Sequence, residues 1–108
     1  MLFKKKKTAE KVQDDRNLIE MNSNTIEALL ILAEGNSETI NQLKYLKNQL
    51  MYLIPSDNTQ ILNYDKQIKN ILGDLRIALT KSSGAEDKKA TRLLTDVKQA
   101  IADRNVNL

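Results

Sequence analysis

Apolar side chains recur at intervals of three and four along most of this chain, the spacing that lays a stripe down one face of a helix. Ile19, Asn22, Ile26, Leu29, Leu30 and Ala33 share one face of a first helix predicted over about residues 8–34. Ile40, Leu43, Leu46, Leu50, Leu53 and Ile54 form the stripe of a second, over 37–54. A third, over 58–81, carries Ile61, Tyr64, Ile68, Ile71, Leu72, Leu75, Ala78 and Leu79. Ala90, Leu93, Leu94, Val97, Ala100 and Ile101 align on a fourth, over 86–105.

The breaks between the stripes combine helix-ending residues with good N-caps: Gly35-Asn36-Ser37, Pro55-Ser56-Asp57-Asn58 and Ser82-Ser83-Gly84-Ala85. Asp57 with Gln60, and Ser83 with Glu86, have capping-box spacing. Asn24 with Glu27 offers the same pairing inside the first stretch, but the apolar period runs on across it, which favours one long helix. Pro55 disfavours helical geometry at Ile54 and is expected to stop the second helix there.

Period-two alternation is missing and aromatics make up only 4% of the chain, so strands are not expected. Short connections make sequential helices antiparallel neighbours. The expected fold is all-α: an antiparallel, up-down helical bundle of three to four helices over 9–108, preceded by a basic, disordered arm over 1–8.

Composition narrows the chemistry. Among 108 residues there is no His and no Cys, which removes disulfides, thiolate nucleophiles, zinc fingers and a histidine general base. No cofactor or metal is expected. A di-metal carboxylate bundle would need Glu-x-x-His, and no calcium-loop pattern occurs. Glu20, Glu27 and Glu34 recur every seven residues but lie well off the apolar axis of the first helix, as a solvated stripe. Asp14-Asp15 falls in charged first turns, where solvent would keep both ionised. No catalytic motif is present, and the expected function is non-enzymatic.

Charge is unevenly placed. Residues 1–16 hold six bases and three acids, whereas 17–108 hold eleven of each, so the net +3 resides entirely in the N-terminal segment. Lys4, Lys5, Lys6 and Lys7 follow Met1-Leu2-Phe3, an arrangement that an anionic membrane surface would attract at about 1 kcal/mol per lysine. Phosphate backbones would attract it too. Lys66, Lys69 and Arg76 share a flank of the third helix. Asp65 and Asp74 dilute that flank, Asp65 sits four residues before Lys69 as a surface pair, and no interleaved aromatics are available for base stacking; nucleic acid is therefore the weaker expectation.

Tyr45 and Tyr52, seven residues apart on the polar side of the second helix, are candidates for a partner surface, as are Ile31 and Leu32 at the nearly all-apolar end of the first. Asn22, inside a core stripe, either fixes register or oligomeric state or marks a local defect where the helix bends or caps. The expectation is a small helical protein–protein interaction, adaptor or regulatory module with a protein partner that includes a second copy of itself, and no small-molecule substrate. The alternative is a peripheral membrane protein tethered by Lys4–Lys7. No apolar run approaches the roughly 20 residues that cross a bilayer, and a cytoplasmic location is expected, membrane-peripheral if the arm binds lipid.

Overall fold

In the computed structural model, which describes residues 8–82 and 87–108, the four stripes become four helices: α1 (Thr8–Leu32), α2 (Ser37–Met51), α3 (Thr59–Ser82) and α4 (Lys88–Val106). No strand occurs among the described residues. Residues 1–7 of the expected arm, Lys4–Lys7 among them, lie outside the described residues, and its last expected residue, Thr8, is instead the first of α1. α1 runs unbroken through Asn24, so the capping pair with Glu27 is not used.

The helix ends follow local backbone chemistry. α1 stops two residues before the predicted end, because Ala33–Gly35 turn and Gly35 takes φ +93°, where a side chain would be strained. The Asn36 side chain then accepts the Thr39 N–H at 3.1 Å and caps α2. α2 ends at Met51 rather than at Ile54, with the Tyr52 N–H turning back to Gln49 and Leu50. Residues 53–58 are irregular, which fits the extended bias of a residue preceding Pro55. Asn58, not Asp57, caps α3 by accepting the Gln60 N–H at 2.8 Å. Asp87 caps α4 through the Lys89 N–H; the pairing of Ser83 with Glu86 lies outside the described residues.

Packing joins α1 to α2 and α3, and α4 to α3 and α2. Taken around the bundle, the order is therefore α1, α2, α4, α3. Sequential helices are neighbours at the first and third connections, as expected. At the second they are not: α2 and α3 sit on a diagonal, and residues 52–58 cross the end of the bundle between them.

Ile26, Leu29, Leu43, Leu46, Leu50, Leu72, Leu75, Leu94 and Val97 interlock in one closed core. Each such side chain contributes about 1.5–3 kcal/mol on burial. Apart from Ala78 and Ala100, the buried positions of α1, α3 and α4 step by fours and threes: 15, 19, 22, 26, 29 and 33 on α1 and its following turn, 61, 65, 68, 72, 75 and 79 on α3, and 90, 94, 97, 101 and 104 on α4. Such 4–3 spacing is the seam of left-handed bundle packing. Four of these slots hold polar residues, and all four lie toward one end.

Candidate functional site at the crossover end

Asp15, Asn22, Asp65 and Arg104 occupy core slots with at most 1% exposure. The 4–3 register of α1, α3 and α4 aims them at one another just beneath the 52–58 crossover. Arg104 Nε donates to Asp65 Oδ1 at 2.8 Å. Its Nη2 donates to Asp15 Oδ2 at 3.2 Å and to the Ile54 carbonyl at 2.8 Å. Asp15 Oδ2 also accepts the Ser56 N–H at 2.8 Å. Asn22 Nδ2 donates to the Asp65 backbone carbonyl at 3.1 Å, tying α1 to α3. One guanidinium thus spans the diagonal from α4 to α1, and with Asp15 it grips the crossover at Ile54 and Ser56.

This overturns two expectations. Asp15 does not face solvent, and Asp65 is not the surface partner of Lys69; both are fully buried. Asn22 lies in an unbroken helix and makes an interhelical bond, which is its register reading.

The electrostatics follow from counting. Two carboxylates and one guanidinium removed from water carry −1 if both acids ionise, a costly arrangement at low dielectric. Burial, with the hydrogen-bonding Asp15 carboxyl next, raises the Asp65 pKa to about 7 despite the opposing pull of Arg104. Asp15 Oδ1 and Asp65 Oδ2 have no hydrogen-bond donor among the described residues, and one proton between the two carboxyls supplies it. The cluster is built to hold chain, not substrate: it is sealed, and the Arg104 Nε and Nη2 donors are directed at protein groups, while Nη1 has no acceptor among the described residues.

The surface candidates are dispersed. Tyr45 is exposed beside the α2–α4 seam, where Lys98 Nζ sits 5.8 Å from its ring centroid. A groove there is lined by Gln49, Lys98, Ala102 and Asn105 over Leu46 and Ile101. Tyr52 lies past the last residue of α2 and is 78% exposed, so the two tyrosines do not continue one helical stripe. Ile31 is exposed near the opposite end, and Leu32 is half-buried against the core. Glu20, Glu27 and Glu34 are exposed, with Glu27 paired to Lys47 of α2. Lys66, Lys69 and Arg76 are exposed as well.

The structure adds residues not read as surface candidates, and it corrects one reading: Ile54, which periodicity placed in the apolar stripe of the second helix, lies past the end of α2 and is exposed. Met51, Ile54, Val106 and Leu108 are exposed at the end where Tyr52 lies, and residues 48–56 and 105–108 contain no charged side chain. No helix among the described residues is long and apolar enough to cross a membrane, and no cluster of acidic side chains there has the makings of a metal site. No protein-family model, curated protein or solved structure matches the chain.

Proposed function

We propose that this protein is a non-enzymatic protein–protein interaction module of adaptor or regulatory type, docking through its crossover end. The observation that carries this reading is the uncharged crown of Met51, Tyr52, Ile54, Val106 and Leu108, exposed on a chain in which 29% of residues are charged. Exposed aromatic and aliphatic groups gathered on a rigid base are what an interface core requires. The rigidity comes from Arg104 and Asp15, which fix the crossover from below.

The occupant we assign is a second copy of the chain. A two-fold contact sets a patch against itself, and the five crown side chains bring no like charges into direct contact. Sedimentation or light scattering at micromolar concentration should give a mass above 12.3 kDa. The double variant Tyr52→Ser/Ile54→Ser should return it to monomer with an unchanged circular dichroism spectrum. A wild type that is monomeric throughout sinks the assignment.

A second reading has its own support. α1 begins at this end, and Lys4–Lys7 directly precede its first residue in sequence, so an anionic bilayer would meet basic and apolar groups together. Flotation with anionic liposomes at low salt, lost on Lys4–Lys7→Ala, would favour it. Failure of the wild type to float removes it.

A further inference from the structure

We propose that Asp15, Asp65 and Arg104 form a proton-dependent latch for the crossover: with one proton on the carboxyl pair, residues 52–58 are held against the bundle, and loss of that proton lets them lift. The proposal stands on the geometry of the cluster and not on the identity of any partner.

Three features carry it. The first is charge. Asp65 faces Asp15 from α1 and Arg104 from α4, while α2 and the crossover bring only the Ile54 carbonyl and the Ser56 N–H, neither of which titrates. With one proton the site is neutral; without it the site carries an uncompensated buried negative charge. The proton comes from solvent and returns to it, and no bond other than the carboxyl O–H is made or broken.

The second is hydrogen bonding. Arg104 Nε and Nη2 are already engaged, and Asp15 Oδ1 and Asp65 Oδ2 depend on that proton for a donor. Deprotonation leaves two acceptors facing each other, and the only donors at hand are the Arg104 Nη1 N–H, which has no acceptor among the described residues, and entering water.

The third is where water can enter. The helices are pinned by a closed apolar core, whereas the crossover is irregular: Leu53 packs against that core, and beyond it the segment is tied to the cluster through the Ser56 N–H and the Ile54 carbonyl. Lifting the crossover is therefore the least disruptive way to hydrate the pair. Because this segment carries Tyr52 and Ile54, the latch also governs how the crown is presented.

Amide hydrogen exchange of the full chain tests this, read at Ser56 and at core α3 amides such as Leu72. The protection factor of Ser56 should be lower than that of Leu72 throughout, which marks local opening. It should fall roughly tenfold or more from about pH 5.5 to about pH 8.5. Asp65→Asn, neutral at every pH and close in shape, should abolish that fall. A flat Ser56 profile in the wild type overturns the latch. So does Ser56 protection equal to that of Leu72, since the crossover would then open only with the whole fold. If Asp65→Asn does not fold, the carbon-13 shift of the Asp65 carboxyl replaces it: a midpoint near neutrality supports the proposal, and one near 4 refutes it.

Discussion

Arg104 shows how one residue can hold a bundle end. Its guanidinium reaches across a diagonal that the backbones of α1 and α4 do not bridge, and it contacts a carboxylate on α1, a carboxylate on α3 and a crossover carbonyl. Arg104→Met keeps much of the apolar stem but leaves two acids buried without a cation. The expected loss is about 3–5 kcal/mol, read from urea unfolding by circular dichroism. Lys47→Met, which removes only the half-buried partner of the exposed Glu27 at the surface, should cost less than about 1 kcal/mol. Equal losses in the two variants would mean that the cluster contributes nothing special. The polar slots were visible in the sequence, since Asp15, Asn22, Asp65 and Arg104 all fall in 4–3 register with Ile19, Ile68 and Ile101. Asn22 was read in its core stripe; what hid Asp15, Asp65 and Arg104 was a rule applied position by position, that charge faces water. Register outranks that rule when a charge of opposite sign occupies a facing slot.

Among the elements, helix existence was easier to read than helix ends. Ends are set by single caps, and neighbouring Asp, Asn and Ser residues compete for them: Asn58 displaces Asp57 at the start of α3. The α1–α2 connection depends most on residue type, because Gly35 holds a left-handed φ and Asn36 caps the next helix. Gly35→Ala has open space around its new methyl yet must adopt that φ, so a loss of about 1 kcal/mol is expected from backbone strain alone. Asn36→Ala should cost a similar amount, about 1 kcal/mol, through the lost bond to Thr39. Thermal melts of the two variants check both values. Full stability in Gly35→Ala would show that the turn relaxes to another conformation. Neither change touches the crossover end, so the association state and the pH response should be those of the wild type.

At the scale of the molecule, the diagonal crossover is the feature the sequence concealed. A connection of this length fits adjacent helices as well as opposite ones, and the choice is made by which faces complement each other. Crossing the diagonal laid the chain over buried acids, and this gives the whole fold an unusual pH dependence. Asp65 titrates at about 7 in the native state, against about 3.9 in an unfolded chain. A raised acid pKa means that the folded form holds the proton more tightly. The contribution is complete below about pH 4 and disappears as pH rises through about 7. Wild type should therefore be more stable at about pH 6 than at about pH 8 by on the order of 1 kcal/mol, or roughly 4–8 °C in Tm. Asp65→Asn cancels only this component, so the difference between wild type and variant isolates it from every other titration. That difference should favour the wild type more at pH 6 than at pH 8. A difference independent of pH would mean that Asp65 is ionised in the folded protein across this range, with Arg104 and the crossover amide outweighing the second carboxylate.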